Sequence, residues 1–408
     1  MKKTVLMLAA GLTALMLAGC QPPTAGSPTT TTGPPPAPVP SQYQANYDAL
    51  QGQLAAFSAA PAGKVSGRTT VIASGLEAAD GNAMYPGVLQ TNVLNTATTM
   101  VHRMKAMGET GVTIQTSFPL LVSGFPDSSE YTTFYQDIAD VVHQEGMTLT
   151  VEENPLFGNI SSIPIESYYA GLTLQSYESA DQQMAQTIID VMHPTYLSIL
   201  NEPDTYTAVI HQQGIDLTST SVGVAFVNAV ISGLNKEGTL VGAGTGTWTD
   251  PSYDQALIAQ TPIDFVDMHV YPVAQTDLTN MTGEVAEASA AHKPILESEC
   301  WLYKQTTNGQ PDDGPQAAPD EQKVITFSFW EPLDEEFLTT MLSYARSNGF
   351  LVVSPFSTMN FFAYQTWTQA LDAETSQQVR QAFDQLVLSA LNSSLLSSVG
   401  EMYQSLAS

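Results

Sequence analysis

From about residue 66 to about residue 392, short runs rich in β-branched residues alternate with longer stretches whose apolar side chains recur at helical spacing. The alternation repeats eight times, and no other feature restricts the fold as far. The runs are Thr69–Ser74, Gly111–Thr116, Met147–Glu152, Tyr196–Leu200, Thr239–Ala243, Asp264–His269, Pro294–Glu299 and Phe350–Ser354. The first helical pattern, about 90–108, shows the spacing: Val93, Ala97, Met100, Val101, Met104 and Met107 fall on one face. Further helices are read at about 129–145, 175–192, 219–237, 252–260, 282–291, 333–348 and 373–391. Strands alternating with helices predict a parallel sheet. Eight such units fit an α/β fold of the closed (β/α)8, or TIM, barrel type better than an open doubly wound sheet. Breaks at Thr110-Gly111, His193-Pro194 and Lys293-Pro294 precede strands and mark the turns opposite the strand tips. Neither a solenoid period nor a second domain is visible. One barrel is expected over 42–408, with a helix at about 42–59 packed beneath it.

A barrel builds its active site where its strands end. The second run ends in Gln115-Thr116, the third in Glu152-Glu153-Asn154 and the fourth in Asn201-Glu202. The fifth leads to Trp248, the sixth to His269-Val-Tyr271, the seventh to Glu297-Ser-Glu299 and the eighth to Pro355-Phe-Ser357. Carboxylates, amides and aromatic rings at successive tips suit a sugar cleft. Hydroxyls need hydrogen-bond partners, and the apolar C–H faces of sugars need flat rings. Cleavage of a glycosidic bond with retention needs two carboxyl groups about 5–5.5 Å apart, one as acid/base and one as nucleophile. Strand alternation puts Tyr196, Ser198, Leu200 and Glu202 on one side of the fourth run, and Ile295, Glu297 and Glu299 on one side of the seventh. Both tips are therefore expected to point a carboxylate inward.

Asn201-Glu202-Pro203 after the fourth strand, His269-Val-Tyr271 after the sixth, and Lys293-Pro294 followed by Glu299 on the seventh together resemble the clan A retaining glycoside hydrolases. That superfamily includes cellulases, β-mannanases and endo-β-1,4-galactanases. The resemblance covers the architecture from about 66 to 392 and rests on these few residues. It implies Glu202 as acid/base, its pKa raised by the partner carboxylate, and Glu299 as nucleophile. It implies Asn201 at the sugar 2-hydroxyl, Tyr271 bonded to the nucleophile and His269 near the acid/base. Glu297 stays open as the alternative nucleophile. Trp248, Trp301 and Glu153 are read as further cleft residues, and Trp330 as another ring able to stack on a sugar. Many members carry an Arg where this chain has Gln115-Thr116, and a Trp where it has Phe356-Ser357, so no single substrate is inherited. The plainer readings are an acid at a helix start for Glu202, a satisfied core histidine for His269 and loop packing for the tryptophans.

The main expectation is a retaining hydrolase of β-linked neutral polysaccharide or oligosaccharide. The alternative is a non-catalytic glycan-binding lipoprotein on the same scaffold. A metal-dependent deacetylase lacks its His/Asp ligand cluster. With 12 Lys and Arg against 40 Asp and Glu, the net charge of −28 repels nucleic acid, anionic headgroups and polyanionic sugars. There is no HExxH, CxxC or P-loop, and Gly242-Ala-Gly-Thr-Gly246 opens no helix as a dinucleotide site would, so no metal or cofactor is expected. Cys300, beside Trp301, reads as a small buried hydrophobe.

Met1-Lys2-Lys3 and the apolar run Thr4–Leu17, too short to span a bilayer, read as a secretory signal. Leu17-Ala18-Gly19-Cys20 resembles the bacterial lipobox, which implies removal of 1–19 and a lipid on Cys20. Gln21 in place of Asp favours an outer-membrane or surface location. Residues 20–41, rich in Pro and Thr, form an extended tether. Membrane contact is expected through this anchor alone, and the barrel is expected to be a monomer.

Overall fold

The computed structural model describes residues 37–58, 69–81, 87–90, 92–159, 164–272, 275–304 and 321–408. The signal, the lipobox with Cys20 and most of the tether lie outside them. Eight strands are present: β1 (Val71–Ile72), β2 (Gly111–Phe118), β3 (Thr148–Pro155), β4 (Tyr196–Ser198), β5 (Leu240–Gly246), β6 (Val266–Val270), β7 (Ile295–Cys300) and β8 (Val352–Pro355). They pair in parallel in the order β1-β8-β7-β6-β5-β4-β3-β2. Backbone bonds from Thr113 N to Ser74 O (3.0 Å) and from Leu76 N to Thr113 O (2.8 Å) join β1 to β2 and close the ring. The fold is a (β/α)8 barrel, as the alternation requires.

The main helices are α1 (Gln44–Ser58), α2 (Val93–Ala106), α3 (Ser128–Gln144), α4 (Leu174–Met192), α5 (Pro203–Ile210), α6 (Thr220–Ser232), α7 (Ser252–Gln260), α8 (Gln275–Ala290), α9 (Glu331–Asn348), α10 (Ser376–Ser393) and α11 (Ser398–Ala407). None of the described helices is long and apolar enough to cross a membrane. Several strands differ from expectation: β1 and β4 are shorter, and β2, β3 and β5 run further. At β1, Ile72 N donates to the Thr110 hydroxyl (3.1 Å). β3 runs on to Pro155 because its pairing with β2 continues to Phe118, which draws Glu153 and Asn154 into the strand.

The barrel wall sorts its side chains by the two-residue period. Leu149 and Val151 of β3 and Leu197 of β4 join the large core between strands and helices. Ala73, Phe265, Leu296 and Val352, with Tyr196 against them, form a separate apolar plug. Above the plug, the next inward residues are polar: Ser198 above Tyr196, Asp267 above Phe265 and Ser298 above Leu296, all buried. The polar lining continues to the strand tips, which is the feature of the fold that positions the site.

Helix α1 lies beside the barrel rather than beneath it. Tyr47 stacks on Trp330 at the start of α9 (5.6 Å), and Phe57 meets Tyr344 near its end (5.6 Å). Asn46 donates to Lys304 O (2.6 Å) and Tyr43 to Asp372 (2.8 Å). Residues 304, 330 and 372 all follow strand tips, so the chain joins the barrel at the rim of its C-terminal face. The other end is opposite: Gln404 of α11 bonds Ala106 O (3.2 Å), beside the turn leading into β2.

Candidate active site

The two carboxylates reach the mouth by different routes. Glu202 sits at the start of α5 with Pro203 as the first helical residue, where a missing N–H costs nothing. Its carboxylate does not cap the helix. One oxygen accepts from Thr205 Oγ1 (2.6 Å) and the other faces His269 Nδ1 (2.9 Å). Glu299 depends on a bulge. The β6–β7 register slips so that Met268 pairs with Glu297 and His269 with Glu299, and Ser298 is skipped. An extra residue at a bulge breaks simple alternation. Ser298 and Glu299 therefore both reach His269. Glu297, expected on the same side as Glu299, instead has its carboxylate on Ser354 N (3.2 Å) and beside the Cys300 thiol.

His269 draws the pair together. Its Nδ1 lies 2.9 Å from Glu202 Oε1 and 3.4 Å from Glu299 Oε2. Those two oxygens are thus no farther apart than the two distances laid end to end, about 6.3 Å. Glu299 also accepts from the Tyr271 hydroxyl (2.7 Å) and from the Gln115 amide. A third carboxylate, Glu152, lies beneath. Its Oε2 accepts from Gln115 and Asn201 (3.4 Å each) and is 3.6 Å from His269 Nε2. The Glu202 side chain is 18% exposed and that of Glu299 9%, whereas Glu152 is at 0%, so the first two are the ones a substrate can touch.

Hydrogen-bond logic fixes the charge on His269. The single hydrogen of Ser298 goes to Asp267 Oδ1 (2.6 Å), so His269 Nε2 donates to Ser298 Oγ (3.1 Å). Nδ1 faces carboxylates and donates as well, which makes the ring an imidazolium. Burial acts to lower its pKa, but Glu299, Glu152 and Glu202 outweigh burial and hold it well above the usual histidine value. Burial likewise acts to raise Glu202, but the His269 bond and charge, with Thr205, hold it below the usual carboxylate range. Burial, helped by Glu152 and Glu202 against His269 and Tyr271, pushes Glu299 well above that range. The direction at Glu202 is the reverse of the rise that the resemblance implies, because the nearest charge to Glu202 is the imidazolium and not the partner carboxylate. Glu152, His269 and Glu299 bring polar atoms within 4.8 Å of one another, as a metal triad does.

Other residues singled out in the sequence divide. Asn201 is buried against Glu152, beside the pair. Trp248 is 37% exposed at the rim. Its indole N–H donates to Asp204 (3.0 Å), and its ring lies on Gly246, where a Cβ would come within 2.2 Å of it. It presents a flat face beside the Glu202 helix, 6.2 Å from the Tyr271 ring. Glu153 is not in the cleft. It points out of the barrel, opposite Glu152, into a fully buried pair with Asp181 of α4. Trp301 is 1% exposed, packed on Phe361 with the Lys304 ammonium 5.7 Å from its ring centre, so it offers no face to a sugar. Trp330 is buried between Tyr47 and Phe329. Cys300 is a free, buried thiol.

Gln115, Glu152, Ser298 and Asp267 belong to the network but were not singled out as site residues. Glu152 had a signal: it follows Thr148 and Thr150 at the two-residue period, while Glu153 follows apolar Leu149 and Val151. Ser298 had none, because the bulge leaves no mark in the local sequence.

The described residues thus define a (β/α)8 barrel with an acidic, partly aromatic mouth. No protein-family model matches the chain, and no curated protein matches it. Solved structures resemble its trace. A β-glucosidase from Thermotoga maritima in complex with deoxynojirimycin shares 10% identity at TM-score 0.47, over 72% of this chain and 89% of that one. A family 1 β-glucosidase from the same organism shares 11% at 0.46, over 81% and 99%. A β-glycosidase shares 12% at 0.43, over 79% and 96%. Likeness at this level is likeness between barrels, and the chemistry rests on the residues above.

Proposed function

We propose that the protein is a retaining glycoside hydrolase of β-linked, neutral polysaccharide or oligosaccharide, with Glu202 as acid/base and Glu299 as nucleophile. One observation supports this most: both carboxylates meet the same nitrogen of His269, which limits their facing oxygens to about 6.3 Å. Retaining pairs stand about 5–5.5 Å apart and inverting pairs about 6.5–9.5 Å. Attack needs Glu299 ionised and Glu202 protonated, and His269 Nδ1, 2.9 Å from Glu202 Oε1, supplies that proton. Glu299 then bonds the anomeric carbon as Glu202 protonates the leaving oxygen. Water enters, Glu202 takes its proton, and the ester to Glu299 breaks. The Tyr271 hydroxyl steadies Glu299 throughout.

The acidic surface and the three carboxylates favour an uncharged sugar. The test is incubation with mannan, glucan, xylan and galactan beside Glu202→Ala and Glu299→Ala. Sugar release by the parent and its loss in both variants supports the reading. Binding without release by the parent sinks it in favour of a glycan-binding protein. Trp248→Ala is expected to raise KM for oligosaccharides about tenfold, the worth of one stacking ring of about 1–1.5 kcal/mol, with little change for a small aryl glycoside. Equal KM values for parent and variant on both substrates would remove the ring from the cleft.

We also propose export and lipid anchoring at Cys20. The tether then leaves the barrel at its catalytic rim, and the mouth faces the anchored side. Coupling the protein to a bead through a cysteine placed at position 41 should depress polymer turnover more than coupling at position 408. Turnover of a small glycoside should be the same in both. Equal polymer turnover would contradict this orientation.

A further inference from the structure

The mouth of the barrel is unevenly lined. On one side β2, β3 and the turn after β4 supply buried polar groups, Gln115, Glu152 and Asn201. The next four strands are each followed by an aromatic ring: Trp248 after β5, Tyr271 after β6, Tyr303 after β7 and Phe356 after β8. Tyr271 is the hub of this arc. Its ring centre lies 6.2 Å from that of Trp248, 4.5 Å from that of Tyr303 and 6.3 Å from that of Phe356. Its hydroxyl donates to Glu299 (2.7 Å), so the arc stands beside the nucleophile. We propose that Tyr303 is a sugar-contacting residue of the cleft, and that the buried Lys304–Asp334 pair and Asn46 of α1 are positioning residues that hold it there. The inference rests on the reading of the mouth as a sugar cleft.

Burial sets the direction of the Tyr303 ring. Leu302 is 1% exposed and Lys304 0%, while Tyr303 between them is only half-buried. Its two neighbours turn into the protein and leave it on the Tyr271 side. Lys304 is held inward from both ends. Its ammonium donates to the Leu302 carbonyl (2.9 Å) and to Asp334 of α9, with the Trp301 and Trp330 ring centres 5.7 and 5.9 Å away. Asp334 accepts a further bond from the Tyr364 hydroxyl (2.9 Å). The Lys304 carbonyl accepts from the Asn46 side chain (2.6 Å), and Tyr47 of the same helix stacks on Trp330 (5.6 Å). A buried ion pair adds little net stability, because desolvation offsets most of its attraction. What it fixes is geometry. An ammonium out of water must reach its acceptors, and one of them here is the chain's own carbonyl two residues back. That bond closes the turn Leu302–Lys304, Asp334 ties the turn to α9, and Asn46 ties it to α1. The ring so held offers a flat apolar surface with a polar tip, which suits the C–H face of a pyranose lying beside Glu299.

The test uses the full chain and the β-1,4-linked hexasaccharides of glucose, mannose, xylose and galactose, with KM from sugar release and Kd from calorimetry. Tyr303→Ala should raise both constants about fivefold to tenfold, the worth of one aromatic contact. Tyr303→Phe, which keeps the ring, should recover most of the loss. Lys304→Met should raise KM and Kd as far as Tyr303→Ala does, and Asn46→Ala in the same direction, each with a much smaller change in kcat. The double variant Tyr303→Ala/Lys304→Met should bind no worse than Tyr303→Ala alone, since the clamp then has no ring to place. Additive losses would mean that Lys304 acts by general destabilisation and would overturn its role. If thermal unfolding shows that Lys304→Met does not fold, the same cycle with Asn46→Ala decides. A readout independent of any glycan is the nuclear Overhauser contact between the Tyr271 and Tyr303 rings, in protein with protonated tyrosine rings on a deuterated background. It should be present in the parent and weaken in Lys304→Met and Asn46→Ala, and an unchanged contact contradicts the clamp. Equal constants for Tyr303→Ala and the parent remove Tyr303 from the cleft. Binding that responds as described, without release of sugar by the parent, supports the inference and sinks the hydrolase reading alone.

Discussion

Glu299→Ala is expected to cost on the order of 10⁵ in kcat/KM on any glycoside, the scale seen when an enzyme loses its covalent nucleophile. Glu202→Ala is expected to cost about 10²–10⁴, and mainly on substrates with poor leaving groups. Azide separates the two. In Glu202→Ala it should enter after the glycosyl ester forms and give a glycosyl azide with the substrate's configuration. In Glu299→Ala it should attack from the vacated face and give the opposite configuration. The prediction is specific because the two carboxylates are not equivalent. Glu202 faces the imidazolium and a threonine hydroxyl, whereas Glu299 accepts from Tyr271 and Gln115. If the configurations come out exchanged, the roles of the two residues are exchanged as well.

Thermal stability is expected to fall as pH rises from about 5 to about 9. Several carboxyl groups are deeply buried, and burial is the largest influence on each. Burial pushes Glu109 to about 8 against its bond to Ser74. It also pushes Asp181 to about 8, Asp254 to about 7 and Glu284 to about 9, and Glu77 to about 8 against the charge of Arg380. In the unfolded chain such groups titrate near 4. Between about 4 and the folded values, the folded state keeps protons that the unfolded state has released. The unfolded state binds fewer protons, so stability drops with rising pH, by about 1.4 kcal/mol per pH unit for each group fully in its window. The contribution is whole below about 4 and gone by about 9. The windows of these groups sum to well over about 10 kcal/mol between pH 5 and 9, so the Tm should fall by at least about 10 °C. Glu109→Gln, which stays neutral and keeps its shape, should flatten the slope by about one proton. A Tm that is level or rises over this range would contradict the account.

The barrel was legible because its signals are local. β-Branched runs and helical spacing state each element, and breaks such as His193-Pro194 state the turns. The pair Glu202 and Glu299 was legible as acids at strand tips. What escaped depends on tertiary register. The bulge at Ser298 reverses which residues of β7 face inward, so alternation grouped Glu297 wrongly with Glu299. On β3 the cleft acid is Glu152, because the apolar face of Leu149 and Val151 packs on helices and takes Glu153 with it. Trp301 looked like a rim aromatic, but the chain turns it onto Phe361 and Lys304. The downward direction at Glu202 was out of reach, since it depends on which carboxylate meets His269 most closely.

The most direct test of the central claim is covalent capture. A 2-deoxy-2-fluoro glycoside with a dinitrophenyl leaving group should slow the second step and leave the sugar on the protein. Intact mass should rise by one fluorosugar, and the labelled peptide should contain Glu299 as the esterified residue. A label on Glu202 or Glu297, or turnover with no covalent species and inversion of the product, would contradict the account.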